Sequence, residues 1–167
     1  ISSLNRMDEV LHSLSLQLTD IAAIVHDIEL EVALQLEQKR MTITNTLDTT
    51  LPIMGDQSMI YSIFRNLIDN SIAYSGEGTA IVIRCREERD IYHFRLSDNG
   101  AGIPAEHLPH IFERFYRIDK GRNRKIGGTG LGLAIVKNAV MLHGGTISAA
   151  PVAGGGVEFS FTLRKNN

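Results

Sequence analysis

Cysteine is all but missing from this chain. Cys85 is the only one in 167 residues, which excludes a disulfide framework and any thiolate zinc cluster. It stands in the apolar-alternating run 80–86, the setting of a buried structural thiol rather than of a nucleophile. An excess of one charge is missing too: 17 basic residues against 19 acidic ones leave a net charge of −2. That excludes the strong basic footprint of a nucleic-acid partner. No apolar run approaches the ~18–20 residues of a membrane span, and no signal peptide opens the chain, so no direct membrane contact is expected. Nor does a methionine stand first. The start Ile1-Ser2-Ser3 reads as the beginning of a piece excised from something longer. Internal repeats and low-complexity tracts are absent. What remains is the composition of a globular domain, 43% hydrophobic and 22% charged, long enough to bury a sizeable core. Fifteen glycines against four prolines give the first pointed clue, because most of the glycines gather late.

Leu4, Met7, Leu11, Leu14 and Leu18 alternate spacings of three and four, a short heptad seam that predicts a helix over 1–18, either facing a partner helix or packed on its own domain. Thr19-Asp20 reads as an N-cap restarting a helix whose stripe is Ile21, Ile24, Val25, Ile28, Val32 and Leu36. Residues 41–47 read as a strand, and Gly55-Asp56 as a turn with a helix cap. Ile60, Ile63, Phe64, Leu67, Ile68 and Ser71 then mark the best-patterned helix, 56–74. Runs 80–86 and 91–97 predict a hairpin around Glu87-Glu88-Arg89-Asp90. Residues 98–129 form a long loop with one apolar knot at Ile111, Phe112, Phe115 and Tyr116. A helix over 131–143 and strands over 145–150 and 157–163, around Gly154-Gly155-Gly156, complete the chain. This mixture predicts an α+β two-layer sandwich, with a mixed, mostly antiparallel sheet of about five strands and about three helices.

Three clusters carry candidate chemistry. Asn66 and Asn70, four apart, project from one side of the 56–74 helix, where an amide carbonyl is a hard oxygen ligand of the kind Mg²⁺ accepts; capping of local backbone is the competing reading. Asp98-Asn99-Gly100-Ala101-Gly102 ends a strand with a carboxylate that can accept from an exocyclic amine such as adenine's, though Asp-Asn-Gly is also a common turn. Gly127-Gly128-Thr129-Gly130-Leu131-Gly132-Leu133 opens a helix, an arrangement suited to phosphate or to tight packing. It is neither a Walker loop nor a dinucleotide fingerprint. Arg114, Arg117, Lys120, Arg122, Arg124 and Lys125 make the preceding loop basic, either as solvated charge or as oxyanion clamps.

In this order, 66–70, 98–104, 112–117 (Phe-Glu-Arg-Phe-Tyr-Arg) and 128–133 resemble the N, G1, F and G2 boxes of sensor histidine kinases. His143-Gly144-Gly145 before a strand is similar to the same pattern. These are ATP-binding domains of two-component systems, of the Bergerat-type fold shared with gyrase, heat-shock chaperone and mismatch-repair ATPases. The resemblance implies a catalytic domain over 19–167, after the end of a dimerisation helix at 1–18, with an ATP lid at 104–129. It implies that Asn70 coordinates Mg²⁺ and that Asn66 assists at the metal or phosphate. Asp98 would bind the adenine amine, with Gly100, Gly102 and Ile103 shaping the pocket and Tyr74 lying along the nucleotide. Phe112 and Phe115 would anchor the lid, and Arg117 would reach the γ-phosphate. Gly128, Thr129, Gly130, Leu131, Gly132 and Leu133 would hold the phosphates.

The implied partners are ATP, a response-regulator receiver domain and a second copy joined through an upstream hairpin, all in the cytoplasm. Two departures stand out. Ala73 occupies a position where the family often has Lys or Arg. No phosphoacceptor is expected here: His26-Asp27-Ile28-Glu29-Leu30 lacks the later proline and lies too close to Asn66, so His26 is read as an ordinary surface histidine. His12, on the seam helix, is read the same way. A serine kinase of the anti-sigma-factor type, which usually lacks an upstream hairpin, and a nucleotide-sensing module without transfer are the alternatives.

Overall fold

The computed structural model describes residues 14–118 and 132–166. Its elements are β1 (Leu16–Asp20), α1 (Ile21–Glu31), α2 (Ala33–Gln38), β2 (Thr42–Asn45), β3 (Pro52–Asp56), α3 (Gln57–Tyr74), β4 (Ala80–Glu87), β5 (Ile91–Asp98), a 3₁₀ turn (Leu108–His110), α4 (Gly132–Leu142), β6 (Ile147–Pro151) and β7 (Val157–Arg164). Five strands form one sheet in the order β2-β4-β5-β7-β6. β2 runs parallel to β4, and the remaining pairs are antiparallel. With α1, α3 and α4 contributing to a shared core, this is the expected two-layer α+β sandwich.

Strand alternation decides which side chains enter that core. Ile81 and Ile83 of β4, Tyr92, Phe94 and Leu96 of β5, and Phe159, Phe161 and Leu163 of β7 are buried. Ile21, Val25 and Ile28 from α1, Ile60, Phe64 and Leu67 from α3, and Val136 and Val140 from α4 join them. Phe94 and Phe161 are cross-strand partners stacked at 5.2 Å, and Phe64 meets both edge-on. Full burial of each such ring is worth roughly 1.5–3 kcal/mol before entropy is charged against it.

Three expectations need correction. Residues 16–18 are not helical: β1 pairs antiparallel with β3, Leu18 opposite Met54, in a separate two-stranded ribbon. Leu14 and Leu18 satisfy a heptad, but Leu16 and Leu18 equally satisfy a strand, and five residues cannot separate the two periods. The rest of the expected seam, 1–13, lies outside the described residues. Gly55 belongs to β3 rather than to a turn, although Asp56 does cap α3, accepting from the Met59 N–H at 3.1 Å. The helix expected after Thr19-Asp20, with its stripe from Ile21 to Leu36, is interrupted at Val32, which caps α1 at its end and α2 at its start.

Cys85 lies on β4 opposite Phe94, half-buried against the core. Burial disfavours the thiolate, and the Asp48 and Glu87 carboxylates add to it, pushing its pKa up to about 11. Only the thiolate alkylates, so at pH 8 iodoacetamide should modify Cys85 about a hundred-fold more slowly than an exposed thiol. The rate should climb about ten-fold per pH unit toward pH 11. A rate that levels off below pH 9 would mark Cys85 as an activated nucleophile instead.

Candidate nucleotide site

Asp98 is the last residue of β5 and shares the inward phase of Tyr92, Phe94 and Leu96. A carboxylate is thus carried by the strand's own alternation onto the face that meets α3, where it is 5% exposed. Its two oxygens have separate partners. Oδ2 accepts from the Ser71 hydroxyl at 3.1 Å, and Oδ1 accepts from the Gly100 N–H at 3.0 Å. Hydrogen bonds to the ionised form offset its desolvation. Ser71, 1% exposed, was legible in the sequence only as part of an apolar stripe. A small hydroxyl within such a stripe was the available signal.

The loop after Asp98 is held on three sides. Asn99 Oδ1 accepts from the Ala80 N–H at 2.7 Å, and the Ala101 N–H donates to the Ser75 carbonyl at 3.1 Å. Gly100 lies so close to α3 that a Cβ there would stand 2.2 Å from the Ser75 oxygen. On the other side the β6–β7 turn presses in: a Cβ on Gly156 would stand 1.8 Å from the Asp98 oxygen, and one on Gly102 would stand 3.1 Å from the Gly156 oxygen. The glycine-rich turn 154–156, read from sequence as a mere connection, is therefore the seat of the Asp98 loop. Ile103, next along, packs against the core.

Asn66 and Asn70 lie on the flank of α3 rather than in its buried stripe. Asn66 Nδ2 donates to the Ser62 carbonyl at 2.7 Å, one turn back, which leaves Oδ1 facing the start of α4. A Cβ on Gly132 would stand 3.1 Å from that oxygen. No hydrogen bond to the Asn70 amide occurs among the described residues. Tyr74, at the end of α3, is half-exposed. So α3 brings Ser71, and through it Asp98, within one turn of an open amide, with Asn66 beside the first residue of α4. Leu133 packs against the core from α4, while Gly128, Thr129, Gly130 and Leu131 lie outside the described residues.

Of the expected lid, 104–118 is described. Ile111 is buried and the Phe112 ring meets Phe159 edge-on at 6.2 Å, so these two fasten the segment. Phe115 does not: it is 64% exposed, has φ of 66°, and lies under the Arg114 guanidinium. Its expected anchoring role passes to Ile111. Tyr116 instead engages His107 Nδ1 at 2.5 Å and stacks on His110. Arg117 is half-buried in the same segment. His26 is exposed on α1, as read from the sequence.

This geometry can be set beside known proteins. Residues 55–167 match the family described as histidine kinase-, DNA gyrase B-, and HSP90-like ATPases. The chain belongs to that family. Within it, the chain is 43% identical over 129 residues to the sensor histidine kinase WalK of Bacillus subtilis, covering 76% of this chain and 21% of WalK. It is 34% identical to the sensor-like histidine kinase SenX3 of Mycolicibacterium smegmatis over 89% of this chain and 38% of SenX3. The chain thus spans well under half the length of these relatives. Among solved structures, the histidine kinase AdeS of Acinetobacter baumannii superposes with a TM-score of 0.74 at 26% identity, over 98% of this chain and 76% of that one. Full-length ShkA in complex with AMPPNP superposes with a TM-score of 0.75 at 25% identity, over 90% of this chain and 31% of ShkA. The fold and motifs are those of the ATP-binding catalytic domain of sensor histidine kinases.

Gly156 offers a direct check on the seat of the Asp98 loop. Alanine there must adopt φ near 104° and displace the Asp98 backbone. Gly156→Ala should cost about 1–2 kcal/mol or more in urea unfolding and weaken ATP-analogue binding about ten-fold. Unchanged affinity would detach the turn from the site.

Proposed function

We propose that this chain binds MgATP and holds its γ-phosphoryl for in-line transfer to a histidine on an upstream dimerisation hairpin of a two-component sensor kinase. The observation that carries the reading is the buried Asp98, oriented by Ser71 and Gly100 beside the open Asn70 amide. In this reading Asp98 accepts from the adenine amine, with Gly100, Gly102 and Ile103 beneath the base and Tyr74 along the nucleotide. The donor set fits a hard divalent ion: the Asn70 carbonyl would supply one oxygen ligand, beside phosphates and water. Mg²⁺, when bound, neutralises charge on the phosphates. Asn66 assists from the flank of α3, and residues 128–133 receive phosphate oxygens on backbone N–H groups at the start of α4.

Transfer forms a nitrogen–phosphorus bond as the β–γ bridging bond breaks, with ADP leaving. It depends on positioning and charge neutralisation more than on covalent chemistry by the protein. Ala73 supplies no cation, so that phosphate contact is either missing or supplied by the lid, where Arg117 reaches the γ-phosphate. The acceptor histidine, the homodimer formed through the hairpin, the receiver-domain partner and the cytoplasmic setting all belong to the parent kinase in this reading. Among the described residues, no helix is long and apolar enough to cross a membrane.

Two measurements test the site. Asn70→Ala should abolish phosphoryl transfer in the parent kinase while circular dichroism and melting stay those of the wild type, because Asn70 contributes nothing to the core. Transfer at the wild-type rate would remove Asn70 from the metal. For base recognition, guanine offers a carbonyl where adenine offers its amine, so GTP sets oxygen against a buried carboxylate. That mismatch costs roughly 1–3 kcal/mol or more, and calorimetry should find GTP at least about ten-fold weaker than ATP. Equal affinities would take Asp98 out of the pocket.

A further inference from the structure

His143 follows α4 and is fully buried, with both ring nitrogens engaged. Nδ1 lies 2.8 Å from the Ala139 carbonyl, and Nε2 lies 3.0 Å from the Asp56 backbone nitrogen. A backbone N–H can only donate, so Nε2 accepts and Nδ1 carries the proton. The surroundings therefore select one tautomer. Space is reserved for the ring as well. A Cβ on Gly55 would stand 3.2 Å from His143 Cδ2 and Nε2 and 2.7 Å from Ile60 Cδ1. The His143 carbonyl meanwhile accepts from the Arg164 N–H at 3.0 Å, tying the same residue to the end of β7.

Asp56 continues the connection. Its Oδ1 caps α3 through Met59, and its Oδ2 accepts from the Ser15 N–H at 3.0 Å, where the described chain enters the domain. Ser15 and Asp56 border an open cleft of about 640 Å³ shared with Gln17, Asp27 and Glu31. α3 and α4 run antiparallel, because Asn66 faces Gly132 at one end while Asp56 meets His143 at the other. About ten residues of α3, roughly 15 Å of helical rise, separate the two ends. Ser15, Asp56 and His143 therefore lie at the end of the helix pair away from Asn70 and Asp98.

We propose that Ser15, Asp56 and His143 form the joint fixing the entering chain to the α3–α4 pair, and that His143 is a positioning residue for phosphoryl transfer. The inference rests on the kinase reading above. Transfer to a histidine borne upstream requires a definite placement of the upstream segment relative to the phosphate-holding helices. A misplacement of about 1 Å is enough to cost on the order of a hundred-fold in rate. Nucleotide binding uses the other end of the same helices and does not need the entering chain. The joint should therefore act on turnover and leave ATP affinity alone.

Asp56→Asn separates these effects. Asparagine caps α3 as well as aspartate does, but its single oxygen, kept on Met59, leaves an amide NH₂ facing the Ser15 N–H. ATP-analogue affinity of the 167-residue chain should stay within about two-fold, while kcat for transfer in the parent kinase falls on the order of ten- to a hundred-fold at unchanged KM. Ser15→Pro, which deletes the donor, should give the same split, and the double variant should be no worse than either single one. Nitrogen-15 NMR of the wild-type chain should show His143 protonated on Nδ1, and His143→Phe should speed exchange of the Asp56 amide proton. Transfer unaffected by Asp56→Asn, a parallel loss of ATP affinity, or an Nε2-protonated His143 would each overturn the proposal. Should the wild-type chain fail to bind ATP at all, the kinase reading falls and the positioning role falls with it. The tautomer and exchange measurements would still decide whether the joint exists.

Discussion

Phe64 projects from α3 into the angle between Phe94 and Phe161, meeting the two rings at 5.2 and 5.5 Å, and this contact fixes the rotation of the helix about its axis. At 100° per residue, everything else α3 carries is then assigned a direction. Ile60, Leu67, Ile68 and Ser71 fall with Phe64 on the sheet side, and all are buried. Asn66 and Asn70 turn away from it. A helix rolled by one residue would swing Ser71 off Asp98 and bury an amide in hydrocarbon at a cost of a few kcal/mol. The aromatic cluster is thus the physical reason that a polar site can sit at the edge of an apolar core.

What surrounds the site is set by close approach of backbone. Gly100 against Ser75, Gly102 against Gly156 and Gly156 against Asp98 leave no room for side chains. Two loops far apart in sequence thereby brace each other. Such bracing keeps the Asp98 carboxylate in one orientation, where one free to swing would accept from many donors. Residues 104–118 show the opposite economy. Ile111 and Phe112 fasten the segment, whereas Phe115 stands exposed in the left-handed region, a conformation costing of order 1 kcal/mol for an aromatic residue. A segment built this way changes shape with little loss of packing.

Much of this was legible in the sequence, for identifiable reasons. Long elements with one buried face, α3 and the β4–β5 hairpin, announce themselves because their periods repeat over many residues. The Asp98 loop stood out only through the order of motifs around it, since Asp-Asn-Gly taken alone is also a common turn. The β1–β3 ribbon was not. Its strands are five residues each, Pro52 opens one, and the leucines of the other fit two periods equally well. Phe115 was misjudged because an aromatic next to a buried one shares its composition signal but not its direction. Ser71 and His143 escaped a site assignment for a common reason. Their partners, Asp98 and Asp56, are distant in sequence, and only the fold brings donor and acceptor together.

The two ends of the α3–α4 pair illustrate how one packing arrangement serves two tasks. Antiparallel helices in contact along their length move as a unit, because their interdigitated side chains resist sliding. At one end Asn66 faces Gly132, one turn from the open Asn70 amide. At the other, an imidazole and a carboxylate satisfy the helix end and the entering chain, and no buried side-chain nitrogen or oxygen among the described residues lacks a partner. A hydrophobic plug at His143 would pack as well but would leave the Asp56 N–H unpaired, a penalty of about 1–3 kcal/mol. Histidine answers that demand with one ring, accepting on one edge and donating on the other. The same property makes the far end of the helix pair sensitive to which nitrogen holds the proton.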